Sequence, residues 1–210
     1  MNLVVLAGGR SKRMGHCCKH YDLLAGMPLY EHVLLRLGPI CEGVVVVENA
    51  GRVDLAAHAG MRVVPDVIAD AGPLGGIYSG LVASNSWLNF VIGADMPYAS
   101  PQLAAAMETY AFQNKFDIVY PNIDGLLEPL FAIYSQRVGA VALDLLNAGC
   151  RSVRELFVNV QLSVGAVDRQ FVMRYDKQLM SFFNVNTPDD LIMAGLMMDV
   201  NEKSLQEERV

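Results

Sequence analysis

The sequence lacks the features that mark membrane-spanning and disulfide-bonded proteins. No apolar run reaches eighteen residues, so no transmembrane helix is predicted. The apolar start, residues 1–9, is short and ends in glycines, which indicates a strand rather than a signal peptide. Only four cysteines occur among 210 residues, and no Cys-x-x-Cys pair is present. We therefore expect reduced thiols and a cytoplasmic location.

Charged residues are also scarce, at 18%, and the net charge is −6. This balance excludes the general electrostatic attraction to nucleic acid or anionic membranes that basic proteins show. Residues 1–21 reverse the balance, because they contain no Asp or Glu and carry Arg10, Lys12, Arg13 and Lys19. A basic segment in an acidic chain indicates a small anionic ligand rather than a long polyanion.

Short runs rich in β-branched residues alternate with helical patterns along the chain. The predicted strands are Asn2–Ala7, Gly43–Val47, Arg62–Pro65, Asn89–Gly93 and Asp117–Tyr120. The predicted helices are Leu29–Leu37, Arg52–His58, Pro73–Ser84, Pro101–Phe112 and Gln136–Asn147. Continuous apolar strands fit a parallel sheet that is buried on both faces. The alternation predicts an α/β fold of three layers, Rossmann-like, with a mostly parallel central sheet flanked by helices.

We expect one domain over residues 1–210, with a nucleotide-binding half (1–100), an acceptor-binding half (101–200) and a frayed tail (201–210). In the second half, Asp124-Gly125 predicts a turn between the strand ending at Tyr120 and a β-like run over Glu128–Tyr134. Gly149 is expected to end the helix before it, and Thr187-Pro188 to open the last helix.

The segment that follows the first strand, Leu6–Gly15, resembles a phosphate cradle in its chemistry. Gly8 and Gly9 allow the backbone N–H groups to approach a ligand closely. Arg13 and Lys19 supply the cations that pair with phosphate oxygens. The alternative is a surface loop whose basic residues are solvated. The glycine spacing matches neither a Walker A loop nor the Rossmann dinucleotide fingerprint.

Two acidic residues follow predicted strands and are therefore expected at the ligand crevice of the sheet. Asp95 follows the apolar strand Asn89–Gly93 and is a candidate Mg²⁺ ligand, the alternative being a turn or capping Asp. Asp66 precedes the glycine-rich turn at Gly72 and Pro73, where the backbone could approach a nucleobase or ribose. The alternative there is a plain turn that opens a helix.

No Ser/His/Asp or Cys/His arrangement for covalent catalysis is evident, and the four histidines have no metal-ligand spacing. Phosphoryl chemistry needs mainly positioning and charge neutralisation. A phosphate acceptor is already ionised near neutral pH, so no general base is required. The sequence therefore favours transfer of a nucleoside monophosphate from a nucleoside triphosphate to a phosphate-bearing small molecule.

These motifs together resemble one family, the molybdenum cofactor guanylyltransferases, within the larger nucleotidyltransferase group. The matching segments run in family order over about residues 2–195. They are Leu6–Gly15, Lys19, Gly26–Leu29, His32-Val33, Asp66, Gly72–Ile77, Asp95–Pro97, Glu128–Leu130 and Phe183–Pro188.

The resemblance implies a role for each matched residue. The nucleotide would be bound by Leu6, Ala7, Gly8, Gly9, Asn49, Asp66, Gly72 and Pro73. The triphosphate would be contacted by Arg13 and Lys19. Asp95 would hold Mg²⁺, and Asn184 and Asn186 would lie near the pterin substrate. The implied reaction transfers GMP from GTP to the terminal phosphate of molybdenum-molybdopterin, giving the guanine dinucleotide cofactor and pyrophosphate. Transient contact with proteins that deliver molybdopterin and receive the cofactor is also implied.

The chain departs from the family pattern around Lys19, where Cys18 precedes it and His20-Tyr21-Asp22 follow it. Gly8-Gly9 favours GTP, because similar enzymes that use CTP tend to have Ala-Gly there. The alternatives are a related cytidylyl- or sugar-phosphate nucleotidyltransferase and a non-catalytic nucleotide-binding protein. Retention of Lys19 and Asp95 argues against the second of these.

Overall fold

A computed structural model describes residues 1–8, 22–48 and 60–207 of the chain. Its strands are β1 (Asn2–Leu6), β2 (Leu23–Leu24), β3 (Met27–Pro28), β4 (Val44–Val47), β5 (Met61–Val64), β6 (Leu88–Gly93), β7 (Ile118–Ile123), β8 (Leu126–Leu127), β9 (Phe131–Ser135) and β10 (Val164–Val167). The main sheet has the order β10-β7-β9-β6-β1-β4-β5, with β8 paired to β7. The two short strands β2 and β3 form a separate antiparallel hairpin.

The sheet is mostly parallel, as the sequence predicts. Strand β1 pairs in parallel with β4 and β6, β4 pairs in parallel with β5, and β7 pairs in parallel with β10. The exceptions are β9, which lies antiparallel between β6 and β7, and the short strand β8, which pairs antiparallel with β7. The carboxyl ends of β1, β4, β5, β6 and β7 therefore lie at one edge, together with the amino end of β9.

The described helices are α1 (Leu29–Leu37), α2 (Gly72–Ala83), α3 (Pro101–Asn114), α4 (Arg137–Asn147), α5 (Arg154–Phe157), α6 (Arg169–Met173) and α7 (Pro188–Glu207). Residues of α1 and α3 pack on one face of the sheet, and residues of α2 and α4 on the other. This confirms the predicted three-layer arrangement. The predicted helix Arg52–His58 lies outside the described residues.

Helix α2 approaches β1 closely because it has glycines where the two elements meet. A Cβ at Gly76 would lie 3.3 Å from both Cδ atoms of Leu6. A Cβ at Gly80 would overlap the Cγ1 of Val4, which is fully buried in β1. The spacing of four residues places both glycines on one face of the helix. The start of α2 is thereby held beside the carboxyl end of β1.

Local signals explain several boundaries. The Ser100 hydroxyl accepts a hydrogen bond from the Leu103 N–H, which caps α3 as expected of Ser-Pro. Asp124 and Gly125 have φ values of +54° and +90° and form the predicted turn, which joins β7 to β8. The predicted β-like run over Glu128–Tyr134 begins too early, because β9 starts at Phe131. There, the Phe131 N–H donates to the Glu128 carbonyl in a turn.

The start of α7 closes a third apolar cluster against the hairpin β2–β3. Its buried members are Leu24, Leu29, Tyr98, Val185 and Ala194. The Tyr98 hydroxyl donates a hydrogen bond to the Ala194 carbonyl. The helix continues to Glu207, beyond residue 201 where the tail was expected to begin. None of the described helices combines the length and the apolar character that crossing a membrane requires.

Candidate active site

Two neighbouring strands bring the first predicted loop and the predicted metal ligand to the same edge. The Ala94 N–H donates a 3.1 Å hydrogen bond to the Leu6 carbonyl, just beyond the ends of β1 and β6. On the other side of β1, the Ala7 N–H donates a 2.9 Å hydrogen bond to the Val47 carbonyl. Ala7 is buried and Gly8 is exposed, so the backbone emerges from the sheet at Gly8. A ligand at this edge would contact main-chain atoms of Gly8, with Asp95 beside them.

Asp95 is partly exposed and folds back over the end of its own strand. A Cβ at Gly93 would overlap the Oδ1 of Asp95. Gly93 therefore leaves the space that the carboxylate occupies. The sequence predicts Asp95 at the carboxyl end of a buried strand, and the structure places it there.

A second carboxylate, Glu128, lies near Asp95, in the turn before β9. Glu128 is half-buried, and burial raises the pKa of its carboxyl group. The charge of the nearby Asp95 raises that pKa further, since two like charges at close range disfavour ionisation. In the sequence, Glu128 stands out only within a matched motif, which gives it no role. Its position at the start of the predicted β-like run Glu128–Tyr134 is a weak signal, because the sequence does not reveal which strand that run pairs with.

The predicted acceptor residues lie directly beside Asp95. The Val185 N–H donates a 2.9 Å hydrogen bond to the Asp95 carbonyl, which holds the segment Asn184–Asn186 against the site. Asn184 is half-buried, and its Nδ2 donates to the Phe182 carbonyl at 3.3 Å. Asn186 is exposed, and its backbone N–H donates to the Asp190 carboxylate at 2.9 Å. The two asparagines thus flank a buried anchor, Val185.

The predicted nucleoside residues lie on the other side of β1. A Cβ at Gly76 would lie 3.7 Å from the Oδ1 of Asp66 as well as against Leu6, so Asp66 stands beside the end of β1. Gly72 and Pro73 are exposed in the first turn of α2, one turn before Gly76. Gly72 has a φ of +63°, a left-handed conformation that favours glycine. The side chain of Leu6 packs into the cluster that α2 covers.

Four predicted site residues, Gly9, Arg13, Lys19 and Asn49, lie outside the described residues. Their assignments therefore stay predictions. The described part of the predicted site comprises Leu6 at the end of β1, Ala7 and Gly8 directly after it, Asp66 after β5, Gly72 and Pro73 at the start of α2, Asp95 after β6, and Asn184 and Asn186 before α7.

The donor set fits a cation that phosphates help to bind. In the described ranges 1–8, 22–48 and 60–207, no group of three or more His, Cys, Asp or Glu side chains is arranged to hold a metal. Mg²⁺, however, commonly takes only one or two carboxylates and completes its shell with substrate phosphates and water. Asp95 and the nearby Glu128 provide the one or two carboxylates that such a site needs.

The sheet is mostly parallel, its first strand ends in exposed glycine backbone, and the neighbouring strand is followed by a carboxylate. This is the architecture of a nucleotidyltransferase, and this chain is such an enzyme. The family model described as a MobA-like NTP transferase domain matches residues 3–163. The chain belongs to this family.

Named relatives cover nearly the whole chain. A protein of Natranaerobius thermophilus named "Probable molybdenum cofactor guanylyltransferase" is 33% identical over 197 residues, which are 92% of this chain and 94% of that protein. The molybdenum cofactor guanylyltransferase of Vibrio campbellii is also 33% identical over 197 residues, 91% and 93% of the two chains. The crystal structure of molybdopterin-guanine dinucleotide biosynthesis protein A from Archaeoglobus fulgidus has a TM-score of 0.80 at 27% identity. The match covers 95% of this chain and 99% of that one.

Proposed function

We propose that this enzyme transfers GMP from GTP to the terminal phosphate of molybdenum-molybdopterin, giving the guanine dinucleotide cofactor and pyrophosphate. The relatives carry the name of this activity and match along nearly their full length. The observation that carries the proposal is the hydrogen bond from Val185 to Asp95. It joins the predicted acceptor segment to the predicted metal ligand, Asp95. Asp95 follows β6 and lies beside the carboxyl end of β1.

In this proposal the nucleotide lies along the carboxyl end of β1. Leu6, Ala7 and Gly8 present backbone to it, and Asp66 contacts the guanosine near the start of α2. Arg13 and Lys19 pair with the triphosphate, as their positions in the matched motif suggest. Holding the α-phosphorus and the acceptor phosphate in line is the main task of these residues, because an ionised acceptor needs no general base.

The cation in this proposal is Mg²⁺, held by Asp95. A bound Mg²⁺ would neutralise negative charge on the phosphates during transfer. Asn184 and Asn186 would orient the acceptor, since amide groups can hydrogen-bond both the pterin and its phosphate. A cytoplasmic site of action and transient contacts with proteins that deliver molybdopterin and receive the product are part of the same proposal.

A nucleotide panel tests the transfer and the choice of base together. Pyrophosphate release is measured with molybdopterin as acceptor, Mg²⁺ and each of GTP, CTP, UTP and ATP. We expect release with GTP to exceed release with the other nucleotides at least tenfold in kcat/KM. Equal or faster release with CTP would overturn the assignment of guanine. No release with any of the four would overturn the proposed transfer.

A further inference from the structure

Asp95 follows the end of β6 and Glu128 precedes the start of β9, at neighbouring ends of two antiparallel strands. In the pairing of β6 with β9, Leu88 opposes Ser135 and Ile92 opposes Phe131. The Gly93 N–H donates to the Leu130 carbonyl at 3.1 Å, which continues the pairing by one residue on each strand. Asp95 lies two residues beyond Gly93, and Glu128 lies two residues before Leu130, each in a turn at this end of the strand pair.

The Asp95 carboxylate lies on the face of the sheet that α2 and α4 cover. Alternate residues of a strand point to the same side. Val91 and Ala132 both belong to the core that α2 and α4 cover, and Leu130 packs against it. Gly93 shares that alternation with Val91, and the Asp95 carboxylate fills the space above Gly93, on the strand that pairs with Leu130. The charge of Asp95 raises the pKa of the Glu128 carboxyl group, so the two groups lie close in space. Asp66 and Gly76 lie on this same side, where the nucleotide is proposed to bind.

We propose that Glu128 is a second carboxylate ligand of the divalent cation, acting with Asp95. This inference rests on the proposed function, because the cation is the one that accompanies the nucleoside triphosphate. A Mg²⁺ site built from one or two carboxylates plus phosphates accommodates such a pair. Two half-exposed carboxylates that face each other repel, and a divalent cation between them removes that repulsion.

The local fold does not require the acidic side chain of Glu128. Its backbone N–H donates to the Pro121 carbonyl at 3.0 Å, and its carbonyl accepts from the Phe131 N–H at 3.2 Å. Both hydrogen bonds are made by main-chain atoms and are retained in Glu128→Gln. The substitution therefore removes a negative charge and a cation ligand while it keeps the turn that starts β9.

The test measures Mn²⁺ binding by electron paramagnetic resonance, in the presence of a GTP analogue with a non-hydrolysable α,β-methylene bridge. Five proteins are compared: the wild type, Glu128→Gln, Glu128→Asp, Asp95→Asn and the control Glu42→Gln. Glu42 is exposed and lies at the opposite edge of the sheet, near the amino group of Met1. Its substitution makes the same chemical change without touching the site.

We expect Glu128→Gln to weaken Mn²⁺ affinity at least about tenfold, a loss typical of perturbed metal ligation. Asp95→Asn should weaken it as much or more, and Glu42→Gln should leave it unchanged. Glu128→Asp, which keeps the charge on a shorter side chain, should retain part of the affinity. If circular dichroism shows that Glu128→Gln is poorly folded, Glu128→Asp provides a second measurement of the role of Glu128.

The outcomes separate this inference from the proposed function. Wild-type affinity in Glu128→Gln together with weak binding in Asp95→Asn would overturn the role of Glu128 and leave the proposed transfer standing. Equal losses in Glu128→Gln and Glu42→Gln would also overturn it, because the effect would then be one of overall charge. Failure of the wild type to bind Mn²⁺ with the analogue would overturn both.

Discussion

The backbone N–H of Val185 donates a 2.9 Å hydrogen bond to the carbonyl oxygen of Asp95. Val185 is fully buried in the cluster that also contains Leu24 and Tyr98. The proposed acceptor segment, Asn184–Asn186, is therefore fixed to the carboxylate-bearing turn by the main chain, independently of its own side chains. The docking of α7 on the hairpin β2–β3 holds this contact in place.

Asp95→Asn should abolish most of the transfer activity while the fold is preserved. The change removes a charge but keeps the shape, and it relieves the repulsion with Glu128. We expect kcat to fall by two orders of magnitude or more, as for loss of a key electrostatic contact in phosphoryl transfer. Pyrophosphate release and thermal unfolding check this. A variant with wild-type turnover would remove Asp95 from the metal site.

Asn184→Ala and Asn186→Ala should impair use of the acceptor more than use of GTP. Val185 and the backbone of Asn186 keep their hydrogen bonds in both variants, so the segment stays in position. We expect the KM for molybdopterin to rise about tenfold or more, with a smaller change for GTP. Asn114→Ala, an exposed position at the end of α3, is the matched control. Equal increases for both substrates would contradict an acceptor role.

Gly93→Ala should damage catalysis more than stability. The added methyl group would occupy the space of the Asp95 Oδ1 and displace the carboxylate. We expect kcat to fall at least tenfold, because a displacement of about 1 Å at such a site has large effects. Gly195→Ala is the control, since a Cβ at that position meets no atom within 4 Å. Wild-type kcat in Gly93→Ala would show that the position of Asp95 is not critical.

The free energy of unfolding should fall as the pH rises from 9 towards 12. Burial raises the pKa of the Cys41 thiol from 9.0 to about 12. The folded state therefore retains a proton that the unfolded chain loses in this range, and stability is fully present below pH 9 and lost as pH approaches 12. One such group gives a slope of at most about 1.4 kcal/mol per pH unit.

Cys41→Ala tests that slope directly by denaturant unfolding at several pH values. The variant should lose less stability than the wild type between pH 9 and 10. Above pH 10 part of the slope should remain, because burial also raises the pKa of Tyr98 to about 12. Identical pH profiles for the two proteins would contradict the contribution of Cys41.

Much of the fold could be predicted because its signals are local. The run Val44–Val47 has the β-branched composition of a buried strand, and Ser100-Pro101 carries its own cap. The turn at Asp124 and Gly125 requires positive φ values, which those two residue types tolerate best. The predicted helices over residues 29–37, 73–84 and 101–112 correspond to α1, α2 and α3 for the same reason.

The pairing of distant segments could not be predicted in this way. Nothing in the sequence of β9 shows that it inserts antiparallel between β6 and β7, and that insertion is what brings Glu128 near Asp95. The contact of Val185 with Asp95 uses backbone atoms only, so it leaves no trace in residue type. Asp95 itself was predictable, because a carboxylate that follows an apolar strand lies at the ligand edge of a parallel sheet.

The most direct test of the central claim is the product formed from GTP, molybdenum-molybdopterin and Mg²⁺, analysed by mass spectrometry together with pyrophosphate. The proposed function predicts a guanine dinucleotide of the cofactor and pyrophosphate in equal amounts, with the initial rate of both lowered about 100-fold or more in Asp95→Asn. Pyrophosphate without the dinucleotide, or no reaction by wild-type protein that binds GTP, would contradict it.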